Sequence, residues 1–265
     1  MYCSRCGEKR LEPRDRTLRH FFAEALEAFA HADSKLLRSL RDLVAHPGKL
    51  TLAFIDGRRK PYVGAVQLFL LVNVAFFVIQ SSMGWNTFTT PLRIHETQMP
   101  HSALARSMVA RRLASTAEPR EQFTTRFNSA IALHAKTLVI LMVPVFSLAV
   151  AALPARRRRY YVENLAFSFH VYTLFLVVLS GMNIFVTLLT RTNESASSIQ
   201  RVDMITTSII MVISGIYMAK AIGRIYGDAW GWVVVKAVVL TAVVAFNVQF
   251  YRFILFLVTM ASTAT

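Results

Sequence analysis

Five apolar stretches dominate this sequence, and each approaches or exceeds the roughly 20 residues a helix needs to cross a lipid bilayer. They run from about Tyr62 to Met83, around Lys136 to Leu153, from Tyr161 to Thr190, from Met204 to Ile222 and from Trp230 to Val258. None alternates polar and apolar residues as a lipid-facing strand does. Backbone polar groups in hydrocarbon must be satisfied within the chain, so these stretches are expected to be helices. The expected fold class is all-α: a polytopic membrane protein with five transmembrane helices.

Composition enters here as a test of function class. The chain is 54% hydrophobic and 17% charged, against about 25% charged in soluble domains, and its mean hydropathy is +0.43. It carries 30 Lys and Arg against 15 acidic residues. Such an excess can serve nucleic acid, but proteins of that kind interleave bases with aromatics in a solvated groove. Here Phe and Tyr lie mostly in the long apolar runs, so the expected partner is the bilayer and not nucleic acid.

Loop charge sets the expected orientation. Thirteen Lys or Arg precede the first span, ending at Arg58, Arg59 and Lys60. With that region cytoplasmic, the loop over residues 84–128 lies outside, Arg156 to Arg159 lie inside, and the C-terminus lies outside, so the short inner loops hold the dense cations. The outer loop holds six arginines of its own, but long loops cross largely regardless of charge. The N-terminal sixty residues are polar and cationic, so no signal peptide is expected and the first span acts as its own insertion signal.

The chain thus divides into a tip over residues 1–15, cytoplasmic amphipathic helices over 16–61, the membrane region over 62–258 and a tail over 259–265. Leu18, Phe21, Phe22, Ala25, Leu26 and Phe29 recur at helical spacing. A second helix is expected from Lys35 to Ala45, capped by Asp33 or Ser34, with Leu36, Leu37, Leu40 and Leu43 on one side and Pro47-Gly48 ending it. These helices lie either on the inner membrane surface or against the bundle. Residues 118–136 regain helical periodicity, whereas residues 87–116 show no clear period.

Few residues can carry chemistry. Arg156, Arg157, Arg158 and Arg159 cannot enter hydrocarbon cheaply and read as a membrane anchor that can also contact anionic head groups. Cys3 and Cys6 form half a zinc knuckle, since two thiolates two residues apart can grip one Zn ion but a structural site needs four ligands. Ionisable residues inside spans usually face protein or water. Glu163 and His170 stand two helical turns apart in the third span, and Lys220 and Arg224 share a face near the end of the fourth. These four form a candidate intramembrane polar site. Lys236 reads as an interfacial anchor, and Asn247, Gln249 and Arg252 either line a polar path or anchor the far end. No GxSxG, Walker or HExxH signature occurs, so no catalytic residue is assigned.

Four stretches resemble one family. They are CSRCG at residues 3–7, LLRSLRDLVAHPGKLTLAFIDGRRKPY at 36–62, the block LVILMVPVFSLAVAALPARRRRYYVENLAFSFH at 138–170, and AIGRIYGDAW at 221–230. Together they resemble the bacterial membrane family called domain of unknown function 3667. The resemblance rests on Leu43, Pro47, Gly48, Gly57, Arg59 and Tyr62 in the second stretch, and on Pro144, Tyr161, Glu163, Leu165, Phe167 and His170 in the third. It implies a zinc-ribbon-like start, a helical membrane region and residence in the bacterial inner membrane. Asn164 stands where the family pattern has a histidine.

Three functions fit these observations. One is a membrane scaffold or accessory protein that recruits a protein partner, or a second copy, through its N-terminal region. A second is a small transporter or channel-like protein with a path through Glu163, His170, Asn183, Lys220 and Arg252. A third is a membrane enzyme acting on lipid.

Overall fold

The structure, a computed structural model, describes residues 33–58, 60–83, 87–157, 159–190 and 196–263. Every regular element among these residues is helical. The order is α1 (Asp33–Ala45), α2 (Lys49–Ile55), α3 (Ala65–Ser82), α4 (Leu92–Thr97), α5 (Ser102–Thr116), α6 (Arg120–Leu138), α7 (Met142–Ala152), α8 (Tyr161–Thr190), α9 (Ala196–Tyr226) and α10 (Trp230–Ser262).

Five helical segments are long and apolar enough to cross a membrane: Ala65–Ser82, Arg120–Ala152, Tyr161–Leu188, Ile205–Tyr226 and Trp230–Ser262. The chain is a multi-pass helical membrane protein. Its spans run up and down, so the turns preceding α3, α8 and α10 share one end, which we term the basic end.

The second span differs in form from the sequence expectation. Helix α6 and helix α7 form one continuous rod interrupted by a 3-10 turn over Val139–Leu141. Pro144 explains the interruption. It has no N–H to offer Ile140, four residues back, and its ring crowds that carbonyl.

Helices α3 and α8, α7 and α8, α9 and α10, and α6 and α10 pack as neighbours. Helix α3 shows how lipid and core share one sequence. Leu68, Phe69, Phe76 and Phe77 are buried, while Val66, Leu70, Val74 and Val78, each four apart, are exposed. Both faces are apolar, as expected where the outer solvent is hydrocarbon. Edge-to-face ring pairs join the helices, among them Phe69–Phe169 and Phe146–Tyr172.

The segment that lacked a readable period holds α4 and α5, which close the end opposite the basic end. Only Ala105 and Val109 of α5 are buried, too few apolar positions for a visible stripe. Arg112 donates to the Thr263 carbonyl, so this cap also holds the end of α10.

Candidate functional site

Helices α1 and α2 dock on the basic end of the bundle. Pro47-Gly48 makes the corner between them, with Gly48 at φ +79°, a conformation glycine adopts without steric cost. A Cβ there would lie 3.2 Å from both Cα and the carbonyl oxygen of Ala221 on α9. The corner therefore requires glycine for its backbone and for its contact. The same corner is held by Arg224, whose guanidinium donates to the Pro47 carbonyl at 2.7 Å.

Inside the corner, Asp42 collects polar partners. Tyr62 donates to it at 2.8 Å, Lys49 forms an ion pair with it at 2.8 Å, and His46 lies 3.2 Å away. The hydrogen-bonded Lys49 ammonium holds the Asp42 carboxyl below its usual value, against the opposing effect of burial. Ser39 accepts from the Val63 backbone N–H, tying α1 to the start of α3. Leu40 and Leu43 pack inward with Ser39, but Leu37 does not share their face and is 71% exposed. That corrects the expected side for Leu37.

Helix α2 meets α8 through Thr51 and His170. Thr51 Oγ1 and His170 Nδ1 are 2.9 Å apart and both residues are buried. His170 also lines a half-open cavity of about 390 Å³, whose walls include Leu50, Phe54, Leu165 and Phe169. Arg58, Tyr62 and Gln67 supply its other polar edges, and exposed Val66 and Val162 also line it.

Glu163 is elsewhere. Its carboxylate accepts from the Tyr160 backbone N–H at 3.0 Å, three residues before it. This is the returning half of a capping box at the start of α8. Asn164, the next residue, accepts from the Tyr226 hydroxyl at 2.6 Å within the interior.

The arginine turn is seated on the turn between α9 and α10. The Arg156 backbone N–H donates to Asp228, Arg157 lies against Gly227, and Arg159 donates to the Ile225 carbonyl at 2.8 Å. Arg158 lies outside the described residues. Asp228 in turn pairs with Lys236, both side chains being at most 4% exposed. Burial pushes the Asp228 carboxyl up, but the Lys236 hydrogen bond and the Arg156 N–H outweigh it and hold the group below its usual value. Lys236 is thus a buried ion-pair partner, not the interfacial anchor its position suggested.

The four residues of the candidate polar site do not converge. Glu163 caps its own helix, His170 faces the cavity, Arg224 holds the Pro47 corner, and Lys220 is exposed on an outer groove. Asn247 donates to the Met142 carbonyl and to Tyr172, and Asn183 donates to Thr87. Cys3 and Cys6 lie outside the described residues, as does the apolar stripe from Leu18 to Phe29. Among the described residues no group of three or more His, Cys, Asp or Glu is placed to hold a metal.

What does converge is a set of sequence blocks. The 36–62 stretch touches the 138–170 block through Thr51 and His170, and touches the 221–230 stretch through Gly48, Ala221, Pro47 and Arg224. The latter two meet through Asn164–Tyr226, Arg159–Ile225 and Arg156–Asp228. Sequence reasoning named these blocks but missed α2, Thr51 and Asp228 as their connectors, and the Asp42–Tyr62 bond within the first of them.

No curated protein and no solved structure matches the chain. The model of one family, described as Protein of unknown function (DUF3667), matches residues 33–77, which span α1, α2 and most of α3. Through these residues the chain matches the DUF3667 family, the one its sequence motifs resemble.

Proposed function

We propose that this protein is a membrane scaffold or accessory component of the bacterial inner membrane, with its basic end in the cytoplasm and its C-terminus outside. Its N-terminal region recruits a protein partner. The observation that carries this reading is the three-way junction: α1 is fixed to the bundle through one face while the opposite face stays open. Ser39, Asp42 and Leu43 are buried, whereas Leu37 and Val44 stay exposed beside Arg38 and Arg41. A basic and apolar face held at a fixed height suits a partner helix with acidic flanks. Within this reading, Zn is the expected ligand of Cys3 and Cys6.

Glu163, Asn183, Arg224 and Asn247 bond to separate partners, which favours this reading over a continuous transport path. A lipid-directed enzyme would draw on the His170 cavity, since that imidazole lines it about 13 Å along α8. It would need an acid or base besides His170, and Glu163 is turned to its own helix start.

The test is a photocrosslinker at Leu37 in cells. The expected result is one discrete protein adduct, lost when Arg38 and Arg41 are both replaced by Glu, with no solute flux through the purified protein in liposomes. Adducts to lipid alone, or flux that requires His170, would overturn the reading.

A further inference from the structure

We infer that the outer groove between α9 and α10 binds one anionic phospholipid from the leaflet at the basic end. The groove encloses about 760 Å³ and its lining is almost wholly apolar. Small residues shape it: Gly215 and Ala219 on α9, and Ala237, Ala242 and Ala245 on α10. At Gly215 an added Cβ would lie 3.5 Å from Thr241 Oγ1, so the helices come close at the groove floor. Thr241 spends its hydroxyl on the Ala237 carbonyl of its own helix. The floor therefore offers a ligand no unmet polar group and suits hydrocarbon.

The length of the groove fits one acyl chain. Along α10 it extends from Trp230 to Ala245, about 22 Å at the helical rise. One leaflet of the hydrocarbon core is about 15 Å deep, so a chain entering at the basic end can lie along the groove past the midplane.

Charge decides the head group. Lys220 is the one ionisable residue in the lining, is exposed, and has no acidic partner among the described residues. Trp230, 70% exposed, stands at the same end and carries an indole N–H donor. A phosphodiester at that end meets the Lys220 ammonium and the indole donor, while its chain covers the small residues. A second copy of this chain is the competing occupant. A twofold contact would face this patch with itself, bringing two Lys220 ammoniums together with no acid in the lining to meet them.

The test is native mass spectrometry of the full-length protein in detergent, titrated with phosphatidylglycerol and, separately, with phosphatidylcholine. One phosphatidylglycerol per chain is expected at concentrations where phosphatidylcholine does not bind. Lys220→Gln is expected to weaken that adduct about fivefold, the scale of one cation near a lipid surface. Ala242→Trp, which fills the groove without touching the charge, is expected to abolish it, and Arg93→Gln at the other end to leave it unchanged. Equal binding of both lipids overturns the inference, as does an adduct indifferent to both groove variants. Crosslinking of Val238→Cys between two copies, with no lipid retained, assigns the groove to self-association and also overturns it.

Discussion

Thr51 and His170, separated by 119 residues in sequence, share a 2.9 Å hydrogen bond that joins an N-terminal helix to the third membrane span. The bond lies in the interior, so removing one partner strands the other. Thr51→Val leaves His170 Nδ1 without its partner, at an expected cost of about 1 kcal/mol. Thermal unfolding in detergent should show the loss. A double cycle with His170→Phe should be non-additive, because the two side chains share one interaction.

Gly48 makes a second prediction about the same joint. Gly48→Ala forces a side chain into a positive-φ position and against the α9 backbone at Ala221. Hydrogen exchange should rise over residues 33–58 and stay near wild type in α8 and α10. The expected local destabilisation is about 1–3 kcal/mol. Unchanged protection over residues 33–58 would show that this corner does not hold α1 and α2.

The Asp228–Lys236 pair predicts an asymmetric result. Asp228→Asn leaves a buried ammonium without its carboxylate, at a cost of about 3–5 kcal/mol. The Asp228→Asn, Lys236→Met double variant should recover most of that loss, since no unpaired charge remains. Tyr226 stays as an apolar neighbour, its ring centroid 5.8 Å from the Lys236 nitrogen. Folded yield and thermal unfolding of the two variants measure the difference.

A pH dependence follows from the far cap. His95 is fully buried, and its Nδ1 lies 2.8 Å from His101 Nε2. Burial, with the neighbouring His101 and Arg252, pushes His95 from 6.5 down to about 4. Glu96 in the same turn is committed to Arg120 at 2.6 Å. A base held below its unfolded value carries fewer protons when folded, so its effect is absent above about pH 6.5 and stability falls as pH drops toward 4. The loss amounts to about 2 kcal/mol near pH 5. Unfolding temperatures near neutral pH and near pH 5 should differ less in His95→Phe than in wild type.

Much of the architecture was legible because lipid demands it. Five apolar runs, each near the length of a span, set the spans, and the third, Tyr161 to Thr190, coincides with α8. The cap was not legible, because α5 buries two small residues and presents no stripe. Nor was α2, a seven-residue helix whose start rests on a glycine turn and not on a side-chain cap. Glu163 and His170 looked like a pair because a helix places them on one face. Spacing within a helix cannot show that one turns back to the Tyr160 N–H while the other meets a helix from far earlier in the chain. Lys236 looked like an anchor because its partner, Asp228, lies in a turn outside the apolar run.

The account rests on a chain that crosses the bilayer with its arginine turn and its cap on opposite sides. Single cysteines at Tyr160 and Ser115, both exposed, test this directly once Cys3 and Cys6 are replaced by serine. With a membrane-impermeant maleimide, Ser115→Cys should label in intact spheroplasts and Tyr160→Cys only in inverted vesicles. Labelling of both from the same side, or release of the protein from membranes by alkaline carbonate, would contradict it.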